Sequence, residues 1–379
     1  MGPNNSKMIV NSWNEWDSLK RVIVGRADGT VIMAPEPGIE RDFRHDGLPL
    51  GMYGRLPRDM EEKAIEELDN FAKILEKRGI RVDRPTPIDF SQQVQTPDWV
   101  QKTGNGCACP RDLLLPVGNE ILEATMSRRA RWFEYLCYRP ILEQYYKEDK
   151  NMRWEAAPKP RLTERTYRKD FWKEWRGLNP EQRLERATNK EWVITEAEPL
   201  FDAADVARVG KDLFVQRSTV TNYAGIDWLR RHFPNHRIHA VTFNEIWPVH
   251  LDATFVPLRP GLVLQNYQRF PHQKELPELL KKNGWESVEC AKPAHARVHK
   301  FGTSSPFISM NILMLDPKTV CVEECETAQM EQFNKLGFEV IPVPYWDVAP
   351  FGGSLHCSTV DVYREGKLED YFPKQVAGF

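Results

Sequence analysis

The chain has no surplus of either charge and no long hydrophobic run. Its 379 residues include 52 lysines and arginines against 54 aspartates and glutamates, a formal net charge of -2. A protein whose net charge attracts it to nucleic acid or to an anionic membrane needs an excess of basic residues. Neither is therefore an expected partner. No apolar stretch approaches the roughly 18 residues of a membrane-spanning helix. The first residues lack the basic and then apolar layout of a secretory signal, so we expect a cytoplasmic protein.

Cysteine is scarce, and the familiar cofactor motifs are missing. Seven cysteines are an odd number for a chain of this length, which favours free thiols over a disulfide framework. The pairs Cys107/Cys109 and Cys321/Cys325 resemble fragments of a metal site, but neither has a matching second half. No glycine-rich nucleotide loop and no HExxH helix occurs. The sequence therefore requires neither a metal nor a cofactor.

The chain does contain a repeat. Five stretches place two β-rich runs around a turn, and most are followed by a helix and a further strand; they begin at Asp112, Asp202, Asp252, Ser309 and His356. One ββαβ module cannot bury its hydrophobic face alone, whereas a closed ring of modules buries all such faces. We therefore expect an α/β fold, a five-bladed propeller formed by residues 1–379 as a single domain. The N-terminal strand near 21–24 should complete the blade that begins at His356.

Two segments fall outside this repeat, near residues 34–57 and 154–192. The first is rich in glycine and proline, and the second is charged and rich in tryptophan. We expect both to be surface insertions. Long loops on a compact scaffold are often lids or binding loops, but a solvated excursion is an equally good interpretation.

The segment GGSLHCST, which begins at Gly352, holds the best candidate nucleophile, Cys357. Paired glycines let the backbone approach another group closely, and the cysteine follows where a strand begins. A lone cysteine is also commonly a small buried hydrophobe. Its neighbour His356 would point to the opposite face of an extended strand, so we expect the base to be remote. His250 is the candidate, because on an extended segment it would share a face with Asp252, although taken alone it is better explained as a buried, hydrogen-bonded structural histidine.

Aspartates recur at matching places in the hairpins, at Asp112, Asp202, Asp205 and Asp252. If the modules are equivalent, these carboxylates converge on the axis together with Cys357. Carboxylates this close repel one another unless a cation lies between them, so the pattern indicates a positively charged substrate. A guanidinium, whose planar fork pairs with two carboxylates, makes arginine the natural candidate. Taken singly, each aspartate is better explained as a turn or cap residue.

With these residues assembled, the chain resembles the arginine:glycine amidinotransferase family of the guanidine-modifying superfamily. The likeness covers almost the whole chain and rests on motifs in one order: VNSWNEWDSLKRVIVG, PRDLLL, VGNEILEA, AAPKP, FDAAD, QRSTVTNYAGIDWLRRH, HLDATF, SMNILMLD and GGSLHC. It implies a five-bladed α/β propeller of the pentein type. It also implies transfer of the amidino group of L-arginine to an amine, with release of L-ornithine and without a metal or cofactor. A homodimer is suggested by family likeness alone.

The resemblance implies a role for each matching residue. Cys357 would be the nucleophile that carries the amidino group, and His250 would be the acid and base. Asp202 would orient His250 and stabilise its cationic form. Asp112 and Asp252 would hold the guanidinium.

Further positions concern the far ends of the substrates. Arg269 is similar to the arginine that binds the donor carboxylate, and Ser305 is a weaker match because Pro-Phe follows it where the family has Lys-Trp. Glycine-using members carry Asn-Pro-Met before the histidine, whereas this chain has Trp-Pro-Val from Trp247. The chain looks closer to bacterial members of toxin pathways, such as the saxitoxin and cylindrospermopsin amidinotransferases. This likeness implies a larger, polyketide-derived acceptor amine instead of glycine.

Two other interpretations use the same residues. In an arginine deiminase or a dimethylargininase, which are hydrolases of the same superfamily, water replaces the amine. Residue types alone do not separate these from a transferase, but citrulline and ammonia as products would. A non-catalytic arginine-binding or thiol-metal protein would instead use the CAC and CVEEC segments, and it would be recognised by bound metal.

Overall fold

Five three-stranded sheets form the framework of the protein in a computed structural model that describes residues 8–39, 52–294 and 305–379. In each sheet an antiparallel pair is extended by a third strand that runs parallel to the middle one. A helix connects the middle strand to the third strand in every case. The expected ββαβ module is therefore confirmed. No helix in the described part of the chain is long and apolar enough to cross a bilayer.

The modules are numbered here along the chain from their first strand. Each is given as strand, strand, helix and strand: module 1, Leu114–Val117, Glu120–Glu123, Tyr135–Glu148, Arg153–Ala156; module 2, Val206–Val209, Asp212–Gln216, Tyr223–His232, Arg237–Val241; module 3, Phe255–Arg259, Leu262–Gln265, Glu275–Lys282, Glu286–Glu289; module 4, Leu313–Asp316, Thr319–Glu323, Thr327–Lys335, Glu339–Val343; module 5, Thr359–Glu365, Ser18–Val24, Arg58–Lys77, Arg81–Asp83.

Module 5 combines segments from both ends of the sequence. Thr359–Glu365 pairs with Ser18–Val24, as expected for a blade completed by an N-terminal strand. The fifth stretch does not form a hairpin of its own, so the turn that its Glu365 and Gly366 lead one to expect from the sequence is wrong. Residues 366–370 are mostly polar and exposed, so they cannot supply a buried strand, whereas Val22 to Val24 can.

The modules form a closed ring. Each contacts the next in chain order, and the first strand of module 5 packs against the first strand of module 1. Hydrophobic clusters fill the space between adjacent modules, so no module buries its apolar face alone. These contacts give the expected five-bladed α/β propeller of the pentein type.

The helix Arg58–Lys77 shows how the sequence produces these elements. It follows Pro57 and buries one apolar stripe, which includes Leu68 and Phe71, against the sheet of module 5. The chain then turns into the next strand at Gly79, whose φ of 79° lies in the left-handed region. Glycines at the corresponding ends of modules 3 and 4 have φ of 71° and 82°.

Short 3-10 helices stand before the first strands and gather at one end of the ring. They span Pro110–Asp112, Ala203–Asp205, Leu251–Ala253 and Pro306–Met310, and they contact one another in that order. In module 5 a turn at residues 355–358 takes the same place. Side chains from several modules therefore meet at this end, which is where the candidate site lies.

A buried ionic cluster, the axial cluster, links these modules at their centre. Asp361 accepts hydrogen bonds from Arg111, Arg208 and Arg364, each at 2.6 Å. Arg208 also donates to Glu15 at 2.7 Å. Burial opposes the charge of Asp361, but the three guanidinium groups outweigh it and hold its pKa well below the usual range. Because the three arginines come from modules 1, 2 and 5, one carboxylate ties three blades together.

The two expected insertions lie near residues 34–57 and 154–192. Residues 40–51 of the first lie outside the described residues, and its flanks pair as the short strands Val31–Ile32 and Gly54–Arg55. The second begins only after Ala156, because residue 154 belongs to a strand of module 1. It carries two short helices, Phe171–Gly177 and Pro180–Thr188. Its aromatic residues form a buried cluster, so it is not a solvated excursion.

We predict that Asp361→Ala destabilises the fold by about 3–5 kcal/mol, because it leaves three buried guanidinium groups without their shared anion. Urea denaturation measures the free energy of unfolding. Asp227→Ala, which breaks an exposed pair with Arg230, is the matched control and should cost less than about 1 kcal/mol. Equal losses in the two variants would show that the axial cluster does not hold the blades.

Candidate active site

A cavity of about 170 Å³ opens among the 3-10 helices at the end of the ring. Its walls carry seven of the eight side chains selected from the sequence: Asp112, Trp247, His250, Asp252, Arg269, Ser305 and Cys357. The eighth, Asp202, is buried directly behind His250. Residues from modules 1, 3, 4 and 5 thus face one space, as expected if the modules are equivalent.

Cys357 lies in the tight turn that opens module 5 and is only 3% exposed. A β-carbon on Gly353 would lie 2.6 Å from its sulfur, so the turn requires glycine there. Asn311 fixes the turn from module 4. Its amide nitrogen lies 3.1 Å from Sγ, and its amide oxygen accepts from the backbone N–H of Cys357 at 2.9 Å. The thiol is therefore held from two sides.

His250 is held between two carboxylates. Its Nε2 lies 3.1 Å from Asp202, and its Nδ1 lies 3.4 Å from Asp112. Burial opposes a positive charge on the ring, but these two carboxylates outweigh it and raise the pKa of His250 to about 9. The backbone of His250 has φ 62° and ψ 141°, a region that costs a residue with a side chain about 1–3 kcal/mol. This backbone conformation directs the imidazole into the cavity.

Asp252 connects the nucleophile to the axial cluster. Its Oδ2 lies 3.4 Å from the sulfur of Cys357 and 2.8 Å from Nδ1 of His356. Nε2 of His356 lies 3.4 Å from Glu15. Burial and Arg111 oppose the charge of His356, but these carboxylates raise its pKa above the usual value.

Two sequence arguments about geometry are wrong. His250 and Asp252 do not share the face of an extended strand, because a 3-10 helix starts at Leu251. For His356 the premise of a strand is wrong, because residues 355–358 form a turn, but His356 does not line the cavity and reaches the site only through Asp252. Tight backbone turns set the directions of both histidines, which the alternation rule for strands does not describe.

Two buried carboxylate oxygens at the site accept no hydrogen bond from the described residues, Oδ1 of Asp202 and Oδ1 of Asp112, and the latter has only its ion pair with Nδ1 of His250 at 3.4 Å. The other oxygen of Asp112 accepts from Arg131. Buried acceptors without donors are costly, so the cavity is suited to a ligand rich in N–H groups. Asp205 does not join them: Ser218, Thr221 and Gln216 donate to it, and burial raises its pKa to about 7. Its expected place among the axial acids is wrong.

Arg269 and Trp247 form the outer walls. Arg269 donates to the hydroxyl of Ser305 at 2.8 Å and pairs with Glu245. The ring of Trp247 packs against three aromatic rings of the second insertion, with centroid distances of 5.2–6.1 Å. The insertion thus reaches the cavity through Trp247.

The thiol of Cys357 is neutral in the free site. Burial is the largest cause, and the negative charges of Asp252 and Asp112 act in the same direction, so the pKa of Cys357 lies well above its usual value. The hydrogen bond from Asn311 acts in the opposite direction. A cation bound between the two aspartates would remove the field that disfavours the thiolate.

The candidate metal ligands that lie close together are not the cysteine pairs expected from the sequence. Neither the CAC nor the CVEEC cysteines belong to a group of three candidate ligands within the described ranges, and Cys321 is buried while Cys325 is exposed. Candidate ligand atoms of Asp112, His250 and Cys357 do lie within 4.8 Å of one another. A ligating histidine must offer a nitrogen lone pair. His250 instead directs both nitrogens at carboxylates that favour its protonated form, which suits proton transfer better than metal binding.

Three further residues at the site were not predicted from the sequence. Arg128 and Arg131 line the cavity, and Asn311 contacts the sulfur of Cys357. A signal for Asn311 was available. Asp112, Asn311 and Cys357 each stand two residues before the first residue of a module's first strand. Aligning the repeats on their strands would have placed Asn311 beside the nucleophile.

The fold is shared with dimethylarginine dimethylaminohydrolase from Pseudomonas aeruginosa, at TM-score 0.56 and 12% identity, over 90% of this chain and 99% of that one. A cysteine, a histidine and paired carboxylates around one cavity of such a propeller define a pentein-type protein. No protein-family model matches the chain.

Two curated relatives are similar over nearly the whole chain. Glycine amidinotransferase, mitochondrial, of Gallus gallus is 42% identical over 369 residues, covering 96% of this chain and 85% of the relative. L-arginine:L-lysine amidinotransferase of Pseudomonas savastanoi pv. phaseolicola is 40% identical over 372 residues, covering 96% of each. The chain belongs to the amidinotransferase family, and it is a transferase of pentein-type α/β fold.

Solved structures agree with this assignment. An amidinotransferase of the saxitoxin biosynthetic pathway from Microseira wollei matches with a TM-score of 0.83 at 37% identity, over 96% of this chain and 99% of that one. Inosamine-phosphate amidinotransferase from Streptomyces griseus matches with a TM-score of 0.82 at 34% identity, over 97% and 100%.

We predict that Asn311→Asp slows alkylation of Cys357 by iodoacetamide by roughly tenfold at pH 8, since a hydrogen bond to a thiolate is worth about 1.5–3 kcal/mol. The substitution keeps an oxygen for the backbone N–H groups but replaces the donor to sulfur with a negative charge. Peptide mass spectrometry measures the rate. Exposed Cys325 in the same sample is the internal control, and an unchanged Cys357 rate would contradict the role of Asn311.

Proposed function

We propose that the protein transfers the amidino group of L-arginine to an amine through a covalent amidino-cysteine on Cys357, with release of L-ornithine. One observation carries the proposal: the sulfur of Cys357, a ring nitrogen of His250 and a carboxylate oxygen of Asp112 lie within 4.8 Å of one another. A nucleophile, a proton donor and an anion for the guanidinium are thus within reach of one small substrate group. Curated relatives that are amidinotransferases support transfer over hydrolysis.

Arginine binds with its guanidinium between Asp112 and Asp252 and its carboxylate toward Arg269 and Ser305. Oδ1 of Asp112 accepts no hydrogen bond in the described part of the chain and has only its 3.4 Å ion pair with His250, so it is available to N–H groups of the guanidinium. At the other end Arg269 is already oriented by its hydrogen bond to Ser305. Two anchored ends fix the plane of the guanidinium above the sulfur.

Binding of the guanidinium activates the thiol. The negative charges of Asp252 and Asp112 contribute to the high pKa of Cys357, and the substrate cation offsets both. As the guanidinium binds, the thiol releases its proton to solvent in the open cavity. The thiolate then forms a C–S bond with the central guanidinium carbon, and the C–N bond to the side chain of arginine breaks. His250, which is protonated below about pH 9, gives its proton to the departing amine, so that ornithine leaves.

The second half-reaction runs in the reverse direction with a new amine. The acceptor nitrogen attacks the amidino carbon, the C–S bond breaks and the sulfur leaves as thiolate. Neutral His250 takes the proton that the acceptor loses. Asp202, 3.1 Å from Nε2, stabilises the imidazolium in both steps, as the acid of a catalytic triad does.

The acceptor in this proposal is larger than glycine, a polyketide-derived amine of a toxin-type pathway. The cavity supports a larger group, because Met33, Ile39, Leu56, Trp247 and Ile308 give it an apolar wall in addition to the charged residues that hold arginine. Glycine would leave this wall exposed to water. A relative in the saxitoxin biosynthetic pathway supports the same choice.

We predict that incubation with L-arginine adds one amidino group to Cys357, detected by mass spectrometry of the intact protein and its peptides, with one ornithine released per site. Cys357→Ala should form no adduct and release no ornithine but should still bind arginine in calorimetry. Formation of citrulline and ammonia instead of ornithine would establish the hydrolase interpretation. Normal turnover by Cys357→Ala would overturn the proposal.

We predict that the rate of ornithine release in a single turnover falls above about pH 9, because His250 loses the proton that the leaving amine needs. The carboxylate of Asp202 helps to raise the pKa of His250, so Asp202→Asn should lower that pKa and move the fall in rate to lower pH. Rapid-quench measurements across pH test this shift, with Asp227→Asn as control. If Asp202→Asn kept the wild-type profile, Asp202 would not tune His250.

A further inference from the structure

Three guanidinium groups line the cavity, and two of them are paired. Arg131 pairs with Asp112 and Glu134, and Arg269 pairs with Glu245 and Ser305. The guanidinium of Arg128 makes no hydrogen bond or ion pair within residues 8–39, 52–294 and 305–379, and its Nε is buried without an acceptor. A buried N–H donor without an acceptor is costly, so the guanidinium of Arg128 is suited to an anion that enters the cavity.

Arg128 occupies a different wall from Arg269. It belongs to the segment that follows the second strand of module 1, whereas Arg269 follows the second strand of module 3. Burial lowers the pKa of Arg128, and among the nearby carboxylates that oppose this lowering Asp202 acts most strongly, followed by Glu36 and Asp112. Arg128 therefore lies on the His250 side of the cavity, since Asp202 and Asp112 are the carboxylates that hold His250.

The stem of Arg128 also reaches the described flank of the first insertion. A β-carbon on Gly38 would lie 3.8 Å from Cγ of Arg128, and a hydrogen bond between the two insertions, from Trp172 to Pro37, lies next to it. In the proposed first half-reaction Arg269 and Ser305 bind the donor carboxylate, and ornithine has left before the acceptor binds. Arg128 takes no part in holding the donor and lies on the side of His250, which the acceptor amine must reach, so its cation is available to the second substrate.

We propose that Arg128 is a specificity-determining residue that binds an anionic oxygen group of the acceptor amine. This inference rests on the proposed transfer reaction and narrows its acceptor to amines that carry a carboxylate or a phosphate. The anion accepts hydrogen bonds from Arg128 while the amine attacks the amidino carbon on Cys357, loses its proton to His250 and displaces the thiolate. A polyketide-derived amine fits this site if it retains such an acid group.

Clearance of a preformed adduct separates this inference from the proposed function. Wild-type protein and Arg128→Gln are first loaded with L-arginine and freed of it, and the loss of the amidino group from Cys357 is then followed by mass spectrometry. Two matched pairs of amines serve as probes: L-lysine with cadaverine, which lacks the carboxylate, and O-phosphoethanolamine with ethanolamine, which lacks the phosphate. The measured quantity is the preference for the charged member of each pair.

We predict that wild-type protein prefers the charged member of at least one pair and that Arg128→Gln reduces this preference by roughly 10- to 100-fold, the range of a charge-assisted hydrogen bond. The pair that responds shows whether the anion is a carboxylate or a phosphate. Arg128→Lys should retain part of the preference, and Arg230→Gln, on an exposed helix, all of it.

Equal clearance by charged and neutral amines in the wild type, or a preference that Arg128→Gln leaves intact, would overturn the inference. Failure of the wild type to form any adduct would instead contradict the proposed function. In that case calorimetry of the same amines with Cys357→Ala, with and without Arg128→Gln, decides whether Arg128 binds the anion.

Discussion

The shared carboxylate of Asp361 is the interaction on which the rest of the structure depends. Three arginines from three modules converge on it, and the desolvation of each charge is offset only while the ring is closed. From this cluster a chain of hydrogen bonds runs through Glu15, His356 and Asp252 to the sulfur of Cys357. The position of the nucleophile is thus set by the same buried charges that hold the blades together, so folding and preorganisation of the site are one process.

The buried carboxylates set the protonation states of His250 and Cys357 in the absence of a substrate. Asp112 and Asp202 keep His250 protonated, while burial together with Asp252 and Asp112 keeps Cys357 neutral. A neutral thiol is a poor nucleophile, which protects it from adventitious electrophiles. In the proposed reaction the cation that pairs with these acids is the substrate itself, so the thiolate forms when a guanidinium lies above it. A site that ionises its nucleophile only with the substrate in place discriminates by charge before any chemistry occurs.

The sequence predicted the ring and most of the site, but not how backbone turns aim the side chains. Repeated hairpins and the apolar stripe of Arg58–Lys77 report local periodicity, which a single chain displays directly. The strained backbone of His250 and the turn that holds Cys357 are set by tertiary packing. Rules for regular strands therefore do not predict the directions of the side chains there, including that of His356. Asn311 was not predicted for another reason. It contacts the nucleophile because of its position in the repeat, and it belongs to no recognised catalytic motif.

The wall around the outer cavity bears on why transfer can prevail over hydrolysis. An amidino-cysteine reacts with any nucleophile that reaches it, and water is present at far higher concentration than an amine. A transferase must therefore admit its acceptor by binding and keep water out of the gap that the acceptor fills. Trp247 is buttressed by the aromatic cluster of the second insertion, and Trp172 of that cluster is tied to the first insertion through Pro37. Because both insertions meet at this wall, the segments that interrupt the repeat are also those best placed to separate an amine from water.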